Sequence, residues 1–345
     1  MTTVGAAGPS RELRAPTLEE IRAARERLDG LALRTPLLRL QWEPPASAGR
    51  PAAAEPPPAE IYIKLENLQP IGSFKLRGAA NAMLQAGAER LADGVYTASA
   101  GNMAQGVAWS ARRLGVAATA VVPDHAPATK LAAIERLGGT VLKVPFETWW
   151  QVIAEHHYPG QPGLFIHPVS DTAVMAGNGT IGLEIAEQLP GVDVVLVPFG
   201  GGGLSCGIAA ALRELRPAAE VFGCEVTTAS PLAASFEAGE ARAIDYQPSF
   251  VDGIGGKALL PEMWPLASRL LAGSRVVPLA AVAAAVRLLA ERHRVIAEGA
   301  GATAVAVAMA LATAGELPGK KIVCLVSGGN IDGAKLATIL AGGVP

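Results

Sequence analysis

The stretch Val192-Asp193-Val194-Val195-Leu196-Val197-Pro198-Phe199-Gly200-Gly201-Gly202-Gly203-Leu204-Ser205 decides the fold. A run of β-branched and apolar residues of strand length ends at a proline, four glycines follow, and a helix begins. A strand buried on both faces reads as a continuous apolar run, because helices cover both sides of a parallel sheet. The glycines let several backbone N–H groups converge with no side chain in the way, and a helix N-terminus favours an anion. By itself the turn suits a phosphate, or is simply a tight strand-to-helix connection. It is neither GxGxxG nor a Walker A loop, which speaks against a nicotinamide dehydrogenase.

Outward from this turn the chain alternates. Strands are predicted at 61–65, 94–98, 117–122, 140–144, 220–225 and 322–327. Helices are predicted at 78–91, from Met103, and at 128–137. Thr17 opens an earlier helix, with Glu20 placed for a capping box. Alternating strands and helices indicate an α/β protein with parallel-rich sheets flanked by helices. Residues 1–16 read as a flexible leader, and 43–59 as a Pro/Ala-rich surface loop whose prolines exclude helix or central strand.

The chain has 345 residues, half of them hydrophobic and 17% charged, which is enough for a substantial core in one large or two modest domains. Its 29 basic and 31 acidic residues leave a net charge of −2, and no basic stripe suggests nucleic acid. The longest uncharged run, between Glu298 and Glu316, is slightly short for a membrane span and reads as a buried helix. Cys206, Cys224 and Cys324 form no CxxC pair; they read as small buried hydrophobes suited to a reducing, cytoplasmic setting. His156-His157 reads as a loop pair, since adjacent histidines rarely point at one ion.

Three further motifs carry candidate chemistry. Ser99-Ala100-Gly101-Asn102-Met103, between strand and helix, offers N–H donors and an amide, or is a plain capped helix start. Ser327-Gly328-Gly329-Asn330 follows a strand and puts a hydroxyl at its end. Lys75, in Ser73-Phe74-Lys75-Leu76-Arg77-Gly78-Ala79, is a surface residue unless apolar neighbours depress its pKa, in which case it can form an imine.

Taken together the chain resembles the serine/threonine dehydratase (ammonia-lyase) and serine racemase group of fold type II, tryptophan-synthase-β-like, pyridoxal-phosphate enzymes. The matching segments are Thr35-Pro36-Leu37, Leu65-Glu66-Asn67-Leu68-Gln69-Pro70, the Lys75 run, Ser99-Ala100-Gly101-Asn102, Gly179-Thr180-Ile181-Gly182-Leu183-Glu184, the glycine turn, Glu298-Gly299-Ala300-Gly301-Ala302 and Ser327-Gly328-Gly329-Asn330. They agree in order and spacing over nearly the whole chain after the leader.

The resemblance implies a two-domain fold, with a large pyridoxal-phosphate-binding domain at 17–87 plus 168–345 and a small mobile domain at 88–167. It implies pyridoxal 5'-phosphate as cofactor. Lys75 holds the cofactor and then serves as base, with Phe74 beside the ring and Asn102 on the phenolic oxygen. Gly200, Gly201, Gly202, Gly203 and Leu204 surround the phosphate, Ser327 meets the ring nitrogen, and Glu298 lies at the cofactor. Ser99, Ala100, Gly101, Asn102, Met103 and Asn178 form the substrate side. Racemases of the group carry serine where Ala100 stands, so elimination without efficient racemisation is expected.

This sequence departs from the group at Met103, usually histidine, and at Asn178, usually glutamine. These departures suggest a β-hydroxy amino acid bulkier than serine, such as threonine or phenylserine. For a divalent cation the matching run is Glu225 to Pro231; Glu225 and the Ala229 carbonyl are candidate ligands, and Pro231 replaces the third. Relatives suggest a homodimer acting on a small amino acid, away from membranes. Pro345 follows soon after the Ser327 motif, so no appended regulatory domain is expected. The competing readings are another fold type II enzyme (a racemase, threonine synthase or β-replacement enzyme) and a catalytically silent homologue.

Overall fold

In chain order the elements are α1 (Leu18–Arg27), β1 (Leu37–Arg39), β2 (Glu60–Leu65), α2 (Lys75–Arg90), β3 (Val95–Ala98), α3 (Asn102–Leu114), β4 (Ala118–Pro123), α4 (Ala128–Arg136), β5 (Thr140–Val144), α5 (Phe146–Glu155), β6 (Leu164–Phe165), α6 (Thr172–Gln188), β7 (Val194–Pro198), α7 (Gly203–Leu215), β8 (Glu220–Val226), α8 (Pro231–Ala238), α9 (Trp264–Leu270), β9 (Gly273–Val277), α10 (Leu279–Leu288), α11 (Gly299–Thr313), β10 (Lys321–Val326) and α12 (Gly333–Leu340). The computed structural model describes residues 13–42 and 58–345.

Two sheets carry the molecule: one ordered β1-β2-β10-β7-β8-β9, the other β5-β4-β3-β6. Among the described residues all strand pairings are parallel except β1 with β2, which is antiparallel. Three strands were not foreseen from the sequence. β1 and β6 are only three and two residues long, and β9 is a half-exposed edge strand, so none shows an apolar run. Helix α2 begins at Lys75, three residues before the predicted start.

The apolar runs now have a reason. In β10, Ile322, Cys324 and Val326 enter one core, and Val323 and Leu325 enter the other. In β7, Val194 and Leu196 face the first core, and Val195 and Val197 the second. Successive side chains of a strand point to opposite faces, so a sheet covered on both sides needs apolar residues at every position. Helices α10 and α11 supply the first core, α6 and α7 the second. Helix α11 is apolar all round because it is buried, and no helix of the described residues is long and apolar enough to cross a membrane. All three cysteines are buried and free.

The second sheet draws all its strands from residues 95–165 and is packed by α3, α4 and α5. Helix α2 leads to it, with a break in helical geometry at Gly87, where φ is 79°. The Thr17–Glu20 capping box is formed in both directions. The expected surface loop lies outside the described residues except for 58–59, and the expected leader except for 13–16. Those last four residues are not loose: Leu13 and Ala15 pack against the core, and Arg14 pairs with Glu20 at 2.5 Å.

Candidate active site

Parallel pairing brings strand ends to one edge. Val326 of β10 stands beside Leu65 of β2, and both strands run out at the edge where β7 delivers the glycine turn. Open α/β sheets bind ligands at this edge. After β2 the chain returns as Gly72-Ser73-Phe74 and pairs with Ser327-Gly328-Gly329: Phe74 N donates to the Ser327 carbonyl at 3.0 Å, and Gly329 N to the Gly72 carbonyl at 2.9 Å. Gly72, at φ 70°, takes a backbone shape that other residues rarely adopt, and a Cβ there would strike Asn330. This clasp places Lys75 next to Ser327, 252 positions later in the chain.

Lys75 is the first residue of α2, half-buried at the cleft. Its Nζ donates to the Pro168 carbonyl at 2.8 Å and lies 5.2 Å from the centre of the Phe74 ring, which is itself in the core. Burial lowers its pKa to about 8, against the opposing pull of Glu298. An amine so placed is much closer to its neutral, nucleophilic form than a solvated lysine.

In the glycine turn, the amides of Gly200, Gly201 and Gly202 donate to no carbonyl or side chain of the described residues. The amides of Gly203 and Leu204 open α7, where a helix leaves its donors unpaired. Gly202 has φ 101°, which demands glycine. A Cβ on Gly201 would come to 2.8 Å from the Val169 side chain, and one on Gly203 to 2.6 Å from the Val169 carbonyl. The Pro168-Val169 segment therefore touches Lys75 with one residue and the glycine turn with the next. The Leu204 side chain points into the core, so only its backbone can serve a ligand.

Across the cleft, the end of β3 delivers Ser99-Ala100-Gly101 to the start of α3. Ser99 Oγ accepts from Gly101 N at 3.2 Å and shapes the turn. Asn102 is clamped on both sides: its Nδ2 donates to Glu298 Oε1 at 2.8 Å, and its Oδ1 accepts from Asn330 Nδ2 at 2.8 Å. Burial pushes the Glu298 carboxyl up to about 7, with Asp252 adding to the effect. Ser327 is buried and its Oγ bonds to nothing among the described residues.

The pyridoxal-phosphate-dependent enzyme family matches residues 31–328. The L-threonine ammonia-lyase of Thermotoga maritima is 37% identical over 95% of this chain and 79% of its own. The chain belongs to this family. Within it, the chain falls in the serine/threonine dehydratase group. A solved maize serine racemase superposes with TM-score 0.82 at 29% identity, covering 95% of this chain and 98% of its own. The processed threonine deaminase isoform 2 of Solanum lycopersicum gives 0.81 at 29% identity, covering 99% and 93%.

The residues present fit the family's cofactor. Unpaired amides at Gly200–Gly202 and a turn that Cβ atoms would fill suit a phosphate, and a desolvated amine at Lys75 suits an aldehyde. The divalent-cation candidates look different. Glu225 Oε1 accepts from Leu232 N at 2.8 Å, and Oε2 accepts from Ala233 N at 2.9 Å and Ser274 Oγ at 2.7 Å. Both oxygens are thus engaged in capping α8 and holding β9. Among the described residues no group of three or more His, Cys, Asp and Glu is disposed to hold a metal.

Two residues expected at the substrate have buried side chains. The Met103 side chain is 2% exposed and packs in a core with Ala79, Met83, Val107 and Ile166, while its backbone amide lies in the first turn of α3. Adjacent residues on a helix point about 100° apart, so the Asn102 and Met103 side chains leave α3 in different directions. Asn178 is buried on α6, behind the glycine turn: its Nδ2 donates to the Gly203 carbonyl at 3.3 Å, and its Oδ1 has no partner among the described residues. His156, expected in a loop pair, closes α5 and stacks on His167 at 4.1 Å, whereas His157 approaches Tyr96.

One feature of the family motifs had no role in the sequence reading. Glu66 with the adjoining Lys64, Arg77 and Glu184 come from three of the matching segments and form a buried ionic cluster. Arg77 grips both oxygens of Glu66 at 2.8 Å and reaches Glu184 at 2.7 Å, while Lys64 pairs with Glu184 from its other side. The signal was charged residues inside an apolar strand and at a helix start.

The raised pKa of Glu298 has a testable sign. A buried carboxyl that stays protonated up to about 7 holds a proton that the unfolded chain releases near 4.5. Stability therefore falls as pH rises between these values. Glu298→Gln keeps an acceptor for Asn102 and is expected to flatten that slope in urea unfolding measured from pH 5 to 8; an unchanged slope contradicts the assignment.

Proposed function

We propose that this enzyme eliminates water from a β-hydroxy-α-amino acid, with threonine the preferred substrate and serine second, and releases a 2-oxo acid and ammonia. The observation that carries the reading is the desolvated Lys75 amine, held at a carbonyl beside a glycine turn with unpaired amides, in a chain of the dehydratase group. The Thermotoga maritima relative bears the name L-threonine ammonia-lyase, which favours threonine.

Pyridoxal phosphate, when bound, supplies the electron sink that makes the α-proton removable. The chain's own residues do the rest. Lys75 takes the α-proton; a base with pKa near the working pH balances availability against driving force. The amides of Gly200 to Leu204 would donate to the phosphate, and the Ser327 hydroxyl would bond the ring nitrogen. Asn102, clamped by Glu298 and Asn330, is presented in one orientation to the phenolic oxygen, and the Ser99–Gly101 turn receives the substrate carboxylate. Residues 88–167 close over the substrate and exclude water. Water leaves from Cα–Cβ and is added back when the released enamine hydrolyses, so the net products from threonine are 2-oxobutanoate and ammonia.

An aryl serine was suggested by Met103 and Asn178. With both side chains buried, neither gives a reason to rank an aryl group above a methyl, and phenylserine serves as a control. Steady-state release of 2-oxo acid from serine, threonine and phenylserine is the test. The highest kcat/KM is expected for threonine, and a flat zero across the panel rejects the reading. Ala100 carries no hydroxyl, so conversion of L-serine to D-serine is expected at under about 1% of the elimination rate, since one acid–base group contributes about 10²–10⁴-fold. Ala100→Ser is expected to raise D-serine formation. Racemisation as fast as elimination in the unmodified enzyme rejects the role given to this position.

A further inference from the structure

His167 lies between β6 and α6, 2% exposed, one residue before Pro168. Its Nδ1 accepts from two backbone amides, Val169 N at 3.0 Å and Ser170 N at 2.6 Å. Its Nε2 lies 3.2 Å from the Ile153 carbonyl. A ring nitrogen that accepts from backbone N–H carries no proton, and one that faces a carbonyl carries it, so the ring is neutral with the proton on Nε2. The charged and titratable groups around it are His156, stacked at 4.1 Å, Glu262, reached through Ser170 Oγ at 3.0 Å, and Lys75. Burial, with His156 adding to it, pushes the His167 pKa down to about 3.

The turn that this imidazole holds is the one that touches both ends of the site. The Pro168 carbonyl accepts from Lys75 Nζ, and Val169 packs on Gly201 and Gly203. We propose that His167 is a positioning residue: as a neutral acceptor it fixes the Pro168–Ser170 turn, so that the Pro168 carbonyl receives the Lys75 amine whenever that amine is free to act as base. The proposal rests on Lys75 being the base of the elimination proposed above. A carbonyl suits that task. It takes one N–H and leaves the amine's lone pair free, whereas a carboxylate in its place would stabilise the ammonium and raise the pKa. An imidazole that stayed neutral only at high pH would release the turn on protonation; burial prevents this.

The test compares three variants of the holoenzyme. His167→Asn keeps a short side-chain oxygen near the Nδ1 position and can still receive the two amides. His167→Gln places its amide near Nε2 and leaves those amides unmet, and His167→Leu keeps only bulk. His167→Leu and His167→Gln are expected to lower kcat for elimination by about 10–100-fold, with KM changed less than 3-fold, and to shift the acid limb of the kcat profile upward as water reaches Lys75. His167→Asn is expected to restore most of the rate and the wild-type limb. Recovery by Gln but not Asn, or a Leu variant within 3-fold of wild type, overturns the proposal. If the Leu variant does not fold, the Asn–Gln contrast decides. Nitrogen-15 NMR of the unmodified protein supplies a readout independent of turnover. His167 is expected as the Nε2–H tautomer at every pH from 5 to 8, and titration inside that range overturns the proposal. An enzyme with no elimination activity but a fixed neutral His167 rejects the function and leaves the tautomer assignment standing.

Discussion

Lys75→Ala is expected to lower the elimination rate by on the order of 10³–10⁴-fold, the upper range of what a single positioned base contributes, and to abolish covalent retention of pyridoxal phosphate. The reason is local. The amine is brought to a pKa of about 8 by burial, and Ala100 has no hydroxyl to take its place. Glu298 is occupied with Asn102. Lys75→Arg is expected to be as inactive, because a guanidinium does not give up its proton near neutral pH. Unfolding should be little changed in either variant, since Lys75 Nζ is held by one hydrogen bond, to the Pro168 carbonyl. Rate measurements with 2-oxo acid detection, together with the visible absorbance of dialysed protein, check this; a Lys75→Ala enzyme retaining a tenth of wild-type turnover would falsify the assignment.

Arg77→Met is expected to be the most damaging change to stability, by about 3–5 kcal/mol, as for removing one partner of a buried ion pair. Arg77 is 2% exposed and Glu66 fully buried. Burial alone would raise the Glu66 pKa, but the Arg77 guanidinium outweighs it and holds the carboxyl below the usual range. The wild-type cluster balances two cations, Lys64 and Arg77, against Glu66 and Glu184. Methionine keeps the volume and leaves two buried carboxylates facing one lysine. Adding Glu66→Gln should recover part of the loss, because it restores neutrality. Since the folded pKa of Glu66 is depressed, its stabilising effect is present above about 4.5, the ordinary carboxyl value, and is lost as pH falls through the lowered one. Urea unfolding at pH 7 measures the effect, and a change below 1 kcal/mol for Arg77→Met is the result that contradicts it. Because Arg77 follows Lys75 by two residues on α2, cofactor occupancy should fall in parallel.

Local signatures were readable without coordinates. The glycine turn and the Ser327 run each combine a strand end with a short backbone-driven motif, and the Lys75 run opens a helix; such motifs depend on neighbours within a few residues. The surroundings of the substrate-side residues depend on longer-range packing. Met103 and Asn178 sit beside or near motif residues in sequence, yet helix geometry turns the first into a core and α6 carries the second behind the glycine turn. The clamp on Asn102 joins residues 196 and 228 positions apart, and no local pattern announces it. His167 was passed over for the same reason: its role follows from Pro168, which meets Lys75 across 93 positions.

By itself, then, the sequence determined the alternation of strands and helices, the parallel pairing that continuous apolar runs demand, and a glycine-rich strand-to-helix turn. These follow from hydrophobic periodicity and backbone sterics, which act over short stretches of chain. Only the tertiary structure decided that Lys64, Glu66, Arg77 and Glu184 pair with one another in the interior, that Asn102 is held between Glu298 and Asn330, and that Lys75 Nζ meets the Pro168 carbonyl beside His167. Desolvation and charge proximity set those outcomes, and both depend on which distant segments the two sheets bring together.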